Sequence, residues 1–209
     1  ARTDEGVAGF LVEKGTPGFT ANPIHGKYSL RASDTGELVF DDVKLPDSAR
    51  LPDAKGLKAP RSCLNVARSG IAWGAVGAAA DCYATALRYA TEREQFGKPI
   101  AGFQLVQQKL VHMLTEITKA QALNLQLGRL KDDGINEVPL VSLAKRNNVA
   151  MALDCARTAR DILGAAGVTD EFSPGRHMAN LESVITYEGT HDIHTLIVGA
   201  EITGLPAFR

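Results

Sequence analysis

The sequence has few cysteines, and their placement excludes several classes of protein. Cys63, Cys82 and Cys155 are the three cysteines among 209 residues, and they lie far apart. An odd, sparse set excludes a disulfide framework and a four-cysteine zinc site, and it indicates a reducing environment. Each cysteine falls within a helical pattern, so we expect all three to be buried, small, apolar side chains.

The sequence also lacks an excess of either charge and lacks a long apolar run. Basic residues number 23 and acidic residues 24, which gives a formal net charge of -1. This balance argues against electrostatic binding of nucleic acid. The longest nearly apolar stretch, residues 71–80, contains two glycines and is too short to span a bilayer. We therefore predict no nucleic-acid partner and no membrane insertion.

The character of the sequence changes near residue 60. Residues 1–60 hold five of the nine prolines and seven of the 20 glycines, with short apolar runs between them. Such a pattern predicts short β-strands joined by turns, and hence a small sheet. After Pro60 the apolar residues recur at helical spacing, which predicts a second part of different secondary structure.

Helical periodicity organises the rest of the chain. The predicted helices are 62–91, 101–131, 139–163, a shorter one around Met178 to Ile185, and a last one between Thr190 and Gly204. Thr190 is a good N-cap, and Gly204 marks a helix end. Three long helices and a broken fourth predict an antiparallel four-helix bundle. The predicted fold class is therefore mainly α with a small β part.

Considered singly, the candidate site residues favour ordinary structural roles. Glu188 precedes the capping residue by two positions, where a helix N-terminus stabilises negative charge, but surface glutamates near caps are commoner. His191 and His194 have the spacing of a zinc pair, but no third ligand is evident, so we predict no metal site. The loop that begins at Arg93 is open to two interpretations, a phosphate contact or a solvated helix end.

Longer segments carry a resemblance to a known family. The run from Ile185 to His194 resembles the catalytic segment of the acyl-CoA dehydrogenases, and its His-Asp-Ile-His ending is similar to that of the glutaryl-CoA dehydrogenases. Residues 93–97 resemble the family's Arg-x-Gln-Phe-Gly motif. Further blocks match in order and spacing, so the resemblance covers essentially the whole chain: 26–33, 64–74, 114–118 and 127–131.

The resemblance implies a domain organisation. Residues 1–58 would be the C-terminal part of a middle β-domain, a partial barrel or sheet, and residues 59–209 a C-terminal α-helical bundle domain. The family's N-terminal helical domain, the strands beside the flavin ring and the arginine that meets the distal carboxylate of glutaryl-CoA would lie outside these residues. We therefore expect residues 1–209 alone not to turn over glutaryl-CoA.

The resemblance also implies a reaction and a set of site residues. The reaction is the FAD-dependent oxidative decarboxylation of glutaryl-CoA to crotonyl-CoA and carbon dioxide, with electrons passed to an electron-transfer flavoprotein. Glu188 would be the catalytic base. The residues implied to bind the acyl-CoA substrate are Arg61, Asn65, Arg68, Tyr187, Gly189 and Phe208. The residues implied to bind FAD, partly from a neighbouring subunit, are Arg93, Gln95, Phe96, Gln104, Asp161, Ile162, Leu163, Gly164, Ala165, Thr190, His191 and Asp192.

The family further implies a homotetramer, located in the cytoplasm of a bacterium or in the mitochondrial matrix of a eukaryote. Two alternatives to the glutaryl-CoA reaction stay open. One is another acyl-CoA dehydrogenase, with a non-decarboxylating reaction or an unbranched substrate. The other is an inactive helical bundle that only oligomerises. Flavin absorbance separates the enzyme from the inactive bundle, and a panel of acyl-CoA substrates separates the two enzymes.

Overall fold

The structure, a computed structural model, describes residues 1–135 and 138–207. The chain divides into two compact units, Ala1–Val66 and Ala67–Arg209. The first unit contains short strands, and the second is helical. The family-based domain boundary after residue 58 stays a prediction.

The first unit contains two small antiparallel sheets. Strands β1 (Arg2–Thr3), β2 (Gly6–Phe10) and β5 (Arg50–Lys55) form a sheet in the order β1-β2-β5. Strands β3 (Phe19–Pro23) and β4 (Gly36–Phe40) pair separately. Phe19 and Phe40 face each other across this pair, with ring centroids 5.1 Å apart. The predicted small β part is therefore confirmed.

The predicted helices are confirmed to within a few residues. They are α1 (Lys58–Glu92), α2 (Gln104–Asp132), α3 (Val138–Ile162), α4 (Ser173–Thr186) and α5 (His191–Thr203). A short hairpin of β6 (Glu94–Gln95) and β7 (Lys98–Pro99) connects α1 to α2. The Thr190 side chain accepts a hydrogen bond from the Ile193 N–H and caps α5, as predicted. Gly204 ends α5 in the left-handed conformation, which glycine adopts most readily.

Pairs across the helices show that neighbours run antiparallel. Lys109 near the start of α2 bonds to Asp161 near the end of α3, and Asn124 late in α2 bonds to Asn148 early in α3. Helices α4 and α5 each pack on α3 and together make the broken fourth helix. The main core of the helical unit consists mainly of small and medium apolar side chains from α1 to α4. Among the described helices, none combines the length and apolar character that a membrane crossing requires.

The cysteine prediction is correct at two positions and wrong at the third. Cys82 and Cys155 are fully buried, and burial raises the pKa of each thiol to about 12. Cys63 is exposed. The reason is its place in the first turns of α1, before Ala72, where the buried apolar face of this helix begins. Helical spacing alone does not reveal where along a helix the core starts.

A buried amide network joins the three long helices. Asn124 of α2 and Asn148 of α3 both donate to the carbonyl oxygen of Ala72 in α1, at 3.1 and 3.2 Å. Asn148 also donates to the Asn124 side-chain oxygen at 2.8 Å. Both asparagines are fully buried. Because buried amides are costly unless they are paired, this network specifies the register of α1, α2 and α3.

We predict that Asn124→Ala lowers the free energy of unfolding by roughly 2–3 kcal/mol, because it leaves Asn148 with an unpaired buried hydrogen. The matched control is Gln121→Ala on the exposed face of the same helix, which we expect to change stability by less than about 0.5 kcal/mol. Urea unfolding of both variants measures the difference. Equal stabilities for the two variants would show that the amide network does not hold the helices in register.

Candidate active site

The segment between α4 and α5 has an unusual backbone. Glu188 has a φ of 55° and Gly189 a φ of 89°, so two consecutive residues occupy the left-handed region. This region is strained for a residue with a side chain. Gly189 is required for a second reason, because a Cβ atom there would lie 2.8 Å from Nε2 of His194. Surrounding contacts must therefore hold the Glu188 backbone in place.

Three side chains from three helices hold the carbonyl oxygens of this segment. Arg68 Nε of α1 and His194 Nε2 of α5 contact the Glu188 carbonyl oxygen at 2.8 and 3.1 Å. Lys145 Nζ of α3 donates to the Gly189 carbonyl oxygen at 2.8 Å. We call Arg68, Lys145 and His194 the carbonyl clamp. The clamp binds the main chain of Glu188 rather than its carboxylate.

The clamp contains two buried titratable side chains. His194 is fully buried, and burial lowers its pKa to about 4, so the imidazole is neutral at neutral pH. Because its Nε2 faces a carbonyl acceptor, Nε2 carries the proton and Nδ1 does not. Lys145 is 1% exposed, and burial, assisted by the charge of Arg68, lowers its pKa to about 8, while Glu188 acts in the opposite direction.

Three buried polar atoms of this segment have no partner. They are Glu188 Oε2, His191 Nδ1 and His194 Nδ1, and none of them has a hydrogen-bond partner among the described residues. Buried polar atoms are nearly always paired in native proteins, so a group of exceptions calls for an explanation. Glu188 is thus not the surface glutamate that its local sequence favoured. Three such atoms beside the N-terminus of α5 indicate a ligand site.

An apolar cavity of about 130 Å³ lies between α1 and α4 and reaches the residue before Glu188. Apart from Ile71, its α1 wall is made of glycines and alanines, which leave room beside the helix, and Tyr187 belongs to the lining. Tyr187 is 39% exposed, and burial of its ring raises the pKa of the hydroxyl. The residues that line this cavity are Gly70, Ile71, Gly74, Ala75, Ala78, His177, Asn180, Leu181, Val184 and Tyr187.

The predicted FAD residues do not form one cluster within the chain. Thr190, His191 and Asp192 stand at the start of α5, beside the carbonyl clamp. Arg93, by contrast, is exposed just before the β6–β7 hairpin, which carries Gln95 and Phe96. The Phe96 side chain is 92% exposed. Its backbone is in the left-handed region, with a φ of 54°.

The remaining predicted FAD residues lie at the start of α2, which follows this hairpin in the sequence, and at the end of α3. Gln104 is the first residue of α2. Lys109 of α2 is paired with Asp161 of α3, and this pairing lowers the pKa of the Asp161 carboxyl. Ile162 and Leu163 are buried, whereas Gly164 and Ala165 are exposed. Ile162 and Leu163 therefore offer a ligand their main chain only.

The two groups lie toward opposite ends of α3. Lys145, beside the Glu188 segment, and Asp161 are 16 residues apart on this helix. At the rise of an α-helix this separation is roughly 24 Å. The structure of one chain therefore brings Thr190, His191 and Asp192 together with Glu188, but it does not bring residues 161–165 to the same place. Arg93 lies 25 residues after Arg68, at the other end of α1.

The predicted substrate residues are placed as follows. Gly189 and Tyr187 adjoin Glu188, and Arg68 belongs to the carbonyl clamp. Arg61 is exposed and Asn65 is half-buried, both in the α1 turns that belong to the first unit. Phe208 lies outside the described residues. The contacts of these side chains with acyl-CoA stay predictions.

Sequence reasoning missed Lys145 and the bond from His194 to Glu188. A signal for Lys145 was present, because it stands on the buried stripe of α3 between the apolar residues Val141 and Val149. A lysine at such a position is rare unless its charge has a function or a partner. In the sequence, His194 is a candidate only for a metal ligand, whereas His191 is also implied to bind FAD. No group of three or more potential metal ligands occurs in residues 1–135 and 138–207.

We predict that His194 makes stability depend on pH below neutrality. The unfolded chain binds a proton at the ordinary pKa of 6.5, whereas the folded chain binds it only at about 4. Stability from the neutral imidazole is therefore present above pH 6.5 and is lost as the pH falls toward 4, by up to roughly 3 kcal/mol. Urea unfolding of the wild type and His194→Gln from pH 7 to 4 measures this effect. A constant stability difference between the two proteins would contradict it.

Comparisons with known proteins agree with the fold and the segment order. The family model described as "Acyl-CoA dehydrogenase, C-terminal domain" matches residues 54–203. The short-chain specific acyl-CoA dehydrogenase of Megasphaera elsdenii is 33% identical over 203 residues, which cover 97% of this chain and 53% of that protein. The mitochondrial short-chain specific enzyme of Homo sapiens is 30% identical over 203 residues, 97% of this chain and 49% of that protein.

Two solved structures are more similar still. A glutaryl-CoA dehydrogenase from Mycobacterium smegmatis is 60% identical with a TM-score of 0.97, over 100% of this chain and 54% of that chain. A second one, in complex with FADH2, is 54% identical with a TM-score of 0.97 and the same coverage. The chain thus spans about half the length of these relatives. The family match confirms the resemblance found in the sequence: the chain belongs to the acyl-CoA dehydrogenase family.

Proposed function

We propose that this chain is the base-carrying part of an FAD-dependent glutaryl-CoA dehydrogenase. The proposed reaction converts glutaryl-CoA to crotonyl-CoA and carbon dioxide, and the electrons pass to an electron-transfer flavoprotein. The proposal rests on one observation. Glu188 has a buried carboxylate oxygen without a partner, on a backbone that three helices hold in a strained conformation.

Glu188 is suited to take the proton α to the thioester. A general base needs a free lone pair at a defined position, and no described residue forms a hydrogen bond to Glu188 Oε2. The mainly apolar cavity beside Tyr187 suits an acyl chain, and a bound acyl chain would keep water away from Glu188. After the carboxylate at the far end of the enoyl product leaves as carbon dioxide, the protonated Glu188 returns its proton to the remaining dienolate. This completes crotonyl-CoA.

The residues at the start of α5 fit a flavin. His191 Nδ1 is buried and has no hydrogen-bond partner among the described residues. Burial is the largest cause that lowers the pKa of His191, and it favours a hydrogen bond between the imidazole and a neutral polar group. Thr190, His191 and Asp192 would hold the cofactor at a helix N-terminus, where backbone N–H groups favour electron-rich groups. FAD, when bound, supplies the acceptor for the two electrons that leave with the β-hydrogen.

The choice of glutaryl-CoA follows from similarity. The two glutaryl-CoA dehydrogenase structures are 60% and 54% identical to this chain, whereas the butyryl-CoA dehydrogenase of Megasphaera elsdenii is 34% identical. The segment around Glu188 resembles the catalytic segment of the acyl-CoA dehydrogenases in general, so Glu188 itself does not distinguish the substrates. The similarity therefore favours glutaryl-CoA over the non-decarboxylating alternative.

We also propose that a second copy of the chain completes the FAD site. Asp161 lies roughly 24 Å along α3 from Lys145, which holds the Glu188 segment. Arg93 follows the end of α1, 25 residues after Arg68, which also holds this segment. The exposed ring of Phe96 suits a contact with another subunit. In a homotetramer, the Arg93 group of one chain would hold the FAD whose reactive end faces Glu188 of a neighbouring chain.

We predict that Glu188→Gln abolishes dehydrogenation by the holoenzyme while FAD remains bound. The amide keeps the shape of the side chain but cannot accept the proton, so the loss falls on kcat. The measurement is reduction of an electron acceptor with glutaryl-CoA and, in parallel, butyryl-CoA. Glu201→Gln, an exposed position of α5, is the control. Near-normal turnover of Glu188→Gln would remove this residue from the base role, and a preference for butyryl-CoA would reject the proposed substrate.

Mixing two inactive variants tests the shared FAD site. We expect Arg93→Ala to lose FAD because a charge-assisted contact is removed, and Glu188→Gln to lose turnover. In mixed oligomers, a site with Glu188 from one variant and Arg93 from the other is intact. We therefore predict that unfolding and refolding the two together with FAD restores part of the activity. If no activity returns in oligomers that are shown to be mixed and to contain FAD, one chain supplies both groups.

A further inference from the structure

Lys145 is an unusual residue for the interior of a helical bundle. It lies on the buried face of α3 and is 1% exposed. Within residues 1–135 and 138–207, no carboxylate oxygen lies within ion-pair distance of its Nζ. Its one hydrogen bond to a described residue goes to the Gly189 carbonyl oxygen, 44 residues away in the sequence. A buried amino group is costly, so a purely apolar side chain would pack here at lower cost.

The position of that bond connects Lys145 to Glu188. The Gly189 carbonyl follows directly after the two left-handed residues. Arg68 and His194 bind the preceding carbonyl oxygen, that of Glu188. Among the described side chains, Lys145 is the one that donates to the Gly189 carbonyl oxygen. Arg68 and His194 hold the Glu188–Gly189 peptide through its carbonyl, and Lys145 holds the next peptide, Gly189–Thr190, through its own. Without Lys145, the Gly189–Thr190 peptide is free to turn about Gly189, and the Glu188 backbone, with its φ of 55°, loses one of the two supports that hold it.

Relaxation of Glu188 would displace its carboxylate. A proton transfer requires the base at a defined distance and angle to the α-hydrogen, and a shift of about 1 Å costs roughly 10²-fold in rate. The ammonium group does not bind the carboxylate in this structure, so it holds the base without occupying the oxygen that reacts. Fixing a base through its main chain leaves the reactive atom unpaired.

We infer that Lys145 is a positioning residue for proton abstraction: its buried ammonium group holds the Gly189 carbonyl and thereby sets the place of the Glu188 carboxylate. This inference rests on the proposed function of Glu188. It assigns to Lys145 an effect on the rate of proton transfer, and no direct contact with substrate or FAD.

The test uses the complete FAD-bound enzyme, of which this chain is the proposed base-carrying part. Lys145→Met keeps the length of the side chain and removes the donor, and Lys145→Gln retains an N–H donor. Lys119→Met is the matched control, because Lys119 is exposed and paired with Glu116 on α2. The measurements are FAD content, kcat and KM for glutaryl-CoA, and exchange of the substrate α-hydrogens with deuterium from solvent. The exchange reports proton abstraction by Glu188 directly.

We expect Lys145→Met to keep its FAD, to lower kcat and α-hydrogen exchange together by roughly 10²-fold, and to change KM less than about threefold. Lys145→Gln should recover part of both rates, and Lys119→Met should match the wild type. If Lys145→Met does not fold, Lys145→Leu takes its place as the variant without a donor.

Two results would overturn the inference while leaving the proposed function intact. One is an active wild type with unchanged kcat and exchange in Lys145→Met. The other is a loss confined to KM or FAD content, because that pattern marks a role in binding or packing. An inactive wild type that exchanges no α-hydrogens of any acyl-CoA would instead overturn the proposed function, and the inference with it.

Discussion

The carbonyl clamp is the interaction on which the rest of this structure depends. Arg68, Lys145 and His194 come from α1, α3 and α5, and together they hold the carbonyl oxygens of Glu188 and Gly189. The left-handed backbone at these two residues would relax without them. All three donors can reach these carbonyl oxygens only if α1, α3 and α5 keep one register relative to one another. The amide network that joins α1, α2 and α3 at Ala72 provides that register.

Holding a base by its main chain has a cost and an advantage. The cost is two buried ionisable side chains whose charged forms are disfavoured, together with three buried polar atoms that have no partner among the described residues. A well-packed core of small side chains offsets this cost. The advantage is a carboxylate whose reactive oxygen faces no competing donor while its position is defined by three helices. Strain stored at a functional segment and supported from outside it is a common arrangement in enzymes.

The length of α3 gives this chain two distinct functional ends. Lys145 belongs to the end that carries Glu188, and Asp161 to the end beside Lys109 and the start of α2. Roughly 24 Å separates the two ends, and for this reason the proposed FAD site takes its residues from two copies of the chain. The geometry of a single helix thus links the proposed FAD site to oligomerisation.

Much of the fold was predictable because helices are encoded by local spacing. On α2 the apolar residues Leu110, Met113 and Ile117 recur at helical spacing, and all three are buried. The same spacing includes Leu123, whereas the fully buried residue at that turn is Asn124. Apolar spacing cannot show that a polar side chain is buried with a partner from another helix. The exposure of Cys63 escaped prediction for a related reason, since the start of a core is set by what packs there.

By itself, the sequence determined the helices, their caps, the small β part and, through the segment Tyr187-Glu188-Gly189-Thr190, the family and its candidate base. Only the tertiary structure decided what holds that base. Arg68 lies 120 residues from Glu188 and Lys145 lies 44 residues from Gly189, so no local pattern relates the donors to the carbonyls they bind. The folded structure also decided that Arg93 and Glu188 are distant, because separation in space follows from the direction of packed helices.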